Sequence, residues 1–131
     1  MKRYLLLLLL LPCLVMTYGC PAILAGATAG AGAYTYVKGD LKRTYQAPFD
    51  KTIEASLDAL KSLRIKITEE PSGDAIKSII RAERSDGTPI VMALTMTTIN
   101  VTEVSIRSGR TGFFDKNVSE LIHANIEKRL Q

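Results

Sequence analysis

The sequence predicts an α+β fold: an antiparallel sheet of about five strands with two helices on one face, in the order β-α-β-β-β-β-α. Three observations carry that expectation. Two stretches, near 47–63 and 117–130, repeat apolar residues at helical spacing. Between them lie four short segments that alternate apolar and polar side chains, punctuated by the turn signals PSGD and SDGT. Every alternating segment has one polar side, which calls for an antiparallel sheet with a single face covered.

The chain opens with a segment that does not belong to that fold. Lys2 and Arg3 precede an apolar stretch, Leu5 to Met16, of about twelve residues, the length of a signal-peptide core. Spanning a bilayer takes about twenty. No Asp, Glu, Lys or Arg occurs from Leu5 to Val37, so a longer uncleaved anchor is the alternative; Pro12, Pro21, Gly19, Gly26, Gly30 and Gly32 interrupt it as a helix. Gly19-Cys20 supplies the small residue and the cysteine that lipoprotein processing requires, the thiol receiving a diacylglyceryl group before cleavage. Thr17 and Tyr18 depart from the usual pattern, which has Leu three positions before the cysteine and a small or β-branched residue two before.

The expected division is therefore a lipoprotein signal peptide over 1–19, a lipidated Cys20 with a Gly/Ala-rich tether over 20–38, and a small α+β domain over 39–131. Cys13 leaves with the signal, so no thiol remains in the folded part; a Cys13–Cys20 disulfide would require both to survive. Each acyl CH₂ buried in a membrane contributes about 0.8 kcal/mol, and more than one chain makes attachment stable. Gly26 and Gly30 stand at the spacing that lets apolar helices approach, although a stretch this short also fits a flexible tether. Tyr34, Tyr36 and Lys38 suit a membrane interface, and Tyr34 and Tyr36 equally suit the start of a strand.

Composition narrows the function. Removing Lys2 and Arg3 from the 17 basic residues leaves 15 against 13 acidic ones, +2 instead of +4, so the case for a nucleic-acid partner fades. About 110 residues from Cys20 onward make one small domain, and without Trp, disulfides or metal ligands it must rely on aliphatic packing.

The elements follow in order. GDLKRTYQ (39–46) alternates weakly and reads as a strand. Ala47-Pro48 opens a helix whose inner face is Phe49, Ile53, Leu57, Leu60 and Leu63, with Ser56 beside them. RIKITEE (64–70) is the next strand, PSGD (71–74) a turn, and AIKSIIRAER (75–84) a strand with Ile76, Ser78, Ile80 and Ala82 in phase. Asp86-Gly87 is the strongest hairpin signal. The strand after it faces inward through Ile90, Met92, Leu94 and Met96, and 101–107 through Thr102, Val104 and Ile106. A loop, SGRTGFFDKN (108–117), leads to a last helix with Asn117 and Glu120 as a capping box and Val118, Leu121, Ile122, Asn125, Ile126 and Leu130 inside.

The segments YVKGDLKRTYQAPFDKTIEASLDAL (36–60) and TEVSIRSGRTGFFDKNVSELIHANIEKRL (102–130), with the glycine-rich stretch after Cys20, resemble a family of uncharacterised lipid-anchored envelope proteins of bacteria, known as a domain of unknown function. The resemblance implies a location and a fold and brings no catalytic residues. An acidic residue commonly follows the glycine in that pattern; here Phe113-Phe114 intervenes before Asp115.

Few residues offer chemistry. His123, the single histidine, falls with Lys116, Ser119, Glu120 and Glu127 on the polar side of the last helix, which predicts a solvated side chain. With no second His and no Cys in the domain there is no metal set, and no catalytic triad can be assembled. No cofactor and no enzymatic activity are expected. Arg107 and Arg110 in SGRTG are candidate anion contacts. Phe113 and Phe114 are candidate partner contacts: two core plugs are the commoner arrangement, yet neighbours in an extended segment point opposite ways, which would leave one ring exposed.

These features describe a non-enzymatic structural or protein-binding module of the cell envelope, held at a membrane through its N-terminal lipid and facing the periplasm, with an unidentified envelope protein as partner. The outer membrane is expected because Pro21, not Asp, follows Cys20. The alternative is a periplasmic carrier or sensor of a small lipid-like or anionic ligand. A cavity lined by Leu57, Leu60, Met92 and Leu94 would favour the carrier; a solid core with an exposed phenylalanine would favour the binding module. Oligomeric state is not legible.

Overall fold

A computed structural model describes residues 34–131. The signal segment, Cys20 and most of the Gly/Ala-rich stretch lie outside the described residues. The elements are β1 (Thr35–Val37), β2 (Asp40–Tyr45), α1 (Phe49–Ser62), β3 (Lys66–Gly73), β4 (Lys77–Glu83), β5 (Pro89–Thr98), β6 (Val101–Arg110), β7 (Phe113–Phe114) and α2 (Lys116–Leu130). All strand pairs are antiparallel, in the order β1-β2-β6-β5-β4-β3, with β7 pairing β6.

The α+β class and the two helices agree with expectation, but the sheet has seven strands and not about five. The two additions are short: β1 lies inside the stretch read as tether, and β7 inside the stretch read as loop. Two or three residues are too few for alternation to register, and these strands exist because β2 and β6 offer them partners.

Both helices pack on one face of the sheet. Its inner side chains are Leu41 and Tyr45 of β2, Ile80 and Ala82 of β4, Ile90, Met92 and Leu94 of β5, and Val104 and Ile106 of β6, joined with Leu60, Ile122 and Ile126 in one core cluster. Strand phases 78–82, 90–94 and 102–106 match the expectation; Ile76 lies outside β4 and is exposed. Thr102 donates a 3.0 Å hydrogen bond to the Ala47 carbonyl and so fixes the β2–α1 connection to the sheet.

Three local expectations are corrected. Pro71–Gly73 belongs to β3, not to a turn: β3 is an edge strand with register shifts on either side of Glu69, and such irregular edges tolerate proline. The turn sits one step later, where Asp74 Oδ1 accepts from the Ile76 and Lys77 amides. In α1 the buried face is Phe49, Thr52, Ala55, Ser56, Ala59 and Leu60, while Ile53, Leu57 and Leu63 flank it. Small residues prevail at the contact because Thr52 and Ser56 return their hydroxyls to the Pro48 and Thr52 carbonyls and can be buried satisfied.

The last correction concerns α2, which starts at Lys116 with Asp115 as N-cap, accepting from the Val118 amide at 3.3 Å; the Asn117–Glu120 box does not form. Its buried residues are Ser119, Ile122, His123 and Ile126, and Leu121 is 52% exposed. The helix is thus rotated toward its polar side, for a reason that lies on β2.

Two hairpin turns behave as their residues require. Arg84 and Thr88 close the Asp86-Gly87 turn through the Arg84 N–H to Thr88 carbonyl bond, with Gly87 at φ +83°. In the β1–β2 turn, Lys38 (φ +51°) and Gly39 (φ +88°) are both left-handed, the geometry of a tight two-residue hairpin. Among the described residues no helix is long and apolar enough to cross a membrane.

Candidate functional site

β2 presents Arg43 to the helix side of the sheet, where a charge must find a partner. Its guanidinium is only 5% exposed and meets Glu127 of α2 in a two-pronged pair, Nη2–Oε1 at 2.6 Å and Nη1–Oε2 at 2.9 Å. Nη1 also donates to the Tyr34 hydroxyl at 3.1 Å, and the guanidinium carbon stands 5.1 and 5.2 Å from the Tyr34 and Tyr45 ring centres. Burial disfavours the cation, but the Glu127 bond and the two phenols outweigh it and the Arg43 pKa is raised.

His123 completes the cluster and is fully buried, so its expected place on a solvated face is corrected. One ring nitrogen, Nε2, lies 2.8 Å from the Leu41 carbonyl, which only accepts; Nε2 therefore carries the proton and Nδ1 is the acceptor. Tyr45 Oη lies 2.8 Å from Nδ1 and 3.0 Å from the His123 carbonyl, so its proton has two acceptors. Burial lowers the His123 pKa to about 4; the Leu41 bond opposes the shift, and the Arg43 charge adds to it. Burial also raises the pKa of Tyr45. These partners explain the rotation of α2: Arg43 and Tyr45 offer hydrogen bonds to His123 and Glu127 that Leu121 could not accept.

This cluster has the residue types of a catalytic site without its openness. Its members bond to one another, and burial holds His123 neutral at pH 7. The arrangement clamps α2 to β2, and through Tyr34 it also ties in the residue that precedes β1. No group of three His, Cys, Asp or Glu side chains among the described residues is placed to hold a metal.

The residues singled out from sequence are elsewhere. Arg107 projects from the open face of the sheet and donates to Asp40 at 2.6 Å, in a shallow groove of about 320 Å³ floored by Ala93 and Ser105. Arg110 lies at the β6–β7 turn in a different groove, of about 400 Å³, with Phe113 and Asp86. The two arginines are thus not brought together around one anion. Of the phenylalanines, Phe113 is 87% exposed, whereas Phe114 is half buried, its ring 5.7 Å from the Arg107 guanidinium and packed against Gly39. They split as extended neighbours do, and two core plugs are not what forms.

Leu60, Met92 and Leu94 are fully buried in the continuous core and Leu57 packs against it; a groove of about 600 Å³ elsewhere on the described surface is lined by polar residues such as Lys51, Glu54, Asp58 and Arg129. The family described as Protein of unknown function (DUF3568) matches residues 3–129. The chain belongs to that family. Its match takes in nearly the whole length, the leading segment and the domain together. No curated protein matches the sequence.

Proposed function

We propose that this chain is a lipid-anchored module of a bacterial cell envelope, attached through Cys20, facing the periplasm, and acting as a structural or protein-binding element without catalysis. The observation that carries the proposal is the order of its first twenty residues: a basic start, the apolar run Leu5–Met16, then Gly19-Cys20. Pro21 after the cysteine favours the outer membrane.

The domain's chemistry is in keeping with that role. Its only histidine is buried, neutral and bonded on both nitrogens. The packing of Leu60, Met92 and Leu94 speaks against the carrier or sensor alternative, because a ligand held between helices and sheet would have to displace them.

The test is fractionation of envelopes from cells expressing the parent or Cys20→Ser. The proposal expects the parent in the membrane pellet and the variant either unprocessed or released. A variant that is processed and stays with the membrane as tightly as the parent would overturn it.

A further inference from the structure

Three turns gather at one end of the sheet, as the pairings of Asp40 with Arg107, Ile90 with Ser108 and Glu83 with Pro89 require. Two of them, β1–β2 and β6–β7, touch through Phe114 and Gly39. The short strands that run into or out of them expose Tyr36 and Val37, on opposite faces of β1, and Phe113 of β7. Single exposed apolar residues are ordinary; three beside two touching turns concentrate apolar surface at one end of the sheet. The opposite end exposes Ile99 and Ile76 and no aromatic ring among the described residues.

Charge sets the two turns apart in a second way. Arg84, Arg107 and Lys116 near this end are paired with Asp86 and Asp115, Asp40, and Glu120. Lys38 and Arg110, which stand on the turns themselves, have no ion pair among the described residues. Lys38 is moreover held in the left-handed conformation that the tight turn demands, which projects it at the apex.

We infer that this end of the domain is a bilayer-docking surface: Tyr36, Val37 and Phe113 enter the headgroup layer of the membrane while Lys38 and Arg110 meet anionic lipid phosphates. Amphipathic aromatics flanked by cations are the composition that this layer selects. The inference rests on the anchoring proposed above, which brings the surface within range. Thirteen residues lie between Cys20 and Tyr34, and the fourteen steps at about 3.3–3.6 Å each reach no further than roughly 50 Å. A domain so tethered meets the membrane as an intramolecular event, so weak contacts suffice.

The sequence lacks Trp, which makes one introduced tryptophan a clean reporter. The full lipidated chain carrying Phe113→Trp, and separately Ile99→Trp at the opposite end, would be reconstituted into vesicles of phosphatidylethanolamine and phosphatidylglycerol with brominated acyl chains. Docking predicts blue-shifted emission and at least about twofold stronger quenching for the Phe113→Trp chain than for the Ile99→Trp chain. Lys38→Glu with Arg110→Glu, added to Phe113→Trp, should abolish the difference, as should vesicles of phosphatidylcholine alone if the attraction is to anionic headgroups. Flotation of the parent with the vesicles reads the anchoring independently: a chain that does not float contradicts the anchor, and one that floats with equal quenching at both positions contradicts the docking. Photo-crosslinking from position 113 to an envelope protein, without lipid quenching, would likewise overturn the inference and make this end a protein contact.

Discussion

The seam between β2 and α2 and the end of the sheet at the β1–β2 and β6–β7 turns use similar side chains to opposite effect. Each has tyrosine or phenylalanine rings beside arginine. In the seam Arg43 bonds Glu127, Tyr45 bonds His123, and His123 bonds the Leu41 carbonyl, so these polar groups are satisfied within the fold. At the turns Phe113 stands in solvent and Lys38 and Arg110 have no acidic partner among the described residues. Residue type alone therefore does not separate a clamp from a contact surface; satisfaction of the polar groups does.

The contrast breaks most sharply at Glu127. Glu127→Ala leaves a guanidinium that is 5% exposed without its carboxylate, though still in contact with Tyr34 and Tyr45, and its expected cost is about 3 kcal/mol in urea unfolding. Adding Arg43→Met removes the unneutralised charge and should recover most of that loss. If the double variant were no better than the single one, the pair would be stabilising by attraction and not by mutual neutralisation.

Next in size is the pH dependence of His123. Its folded pKa of about 4 lies below the ordinary value near 6.5, so the unfolded chain binds the extra proton first as pH falls. Stability from this group is complete above about pH 6.5 and is lost progressively down to about pH 4, by up to about 3 kcal/mol. The stability difference between the parent and His123→Gln, measured across that window, should shrink by this amount; a difference independent of pH would mean that the ring is not held neutral by burial.

Smaller effects are expected at the turns. Gly39→Ala would place a methyl group against the Phe114 ring at a φ of +88°, with an expected cost of about 1–3 kcal/mol. Phe113→Ser, one residue from that ring, should change stability by no more than about 0.5 kcal/mol. Thermal unfolding of both variants would show whether Phe114 is structural and Phe113 free for contact, and a large loss at Phe113 would merge the two roles.

Strand phases were legible because alternation over seven to ten residues is a strong signal: Ile90, Met92, Leu94, Val104 and Ile106 fall where the pattern puts them. The short strands β1 and β7 were not, since their pairing partners decide them. His123 was misread because helical periodicity counts apolar residues and cannot see a buried arginine on the facing strand. One signal was available: Arg43 alternates in phase with Leu41 and Tyr45, so an inward-facing cation on β2 already demanded an acidic partner. The split between Phe113 and Phe114 was foreseeable from extended geometry, though which ring would be covered depends on Gly39, far away in sequence.

Intact mass spectrometry of the protein extracted from envelopes reads directly how the chain is held at a membrane. The predicted species begins at Cys20 and carries fatty acyl groups on that residue. A species that retains residues 1–19, or one that begins at Cys20 with a bare thiol, would contradict the account.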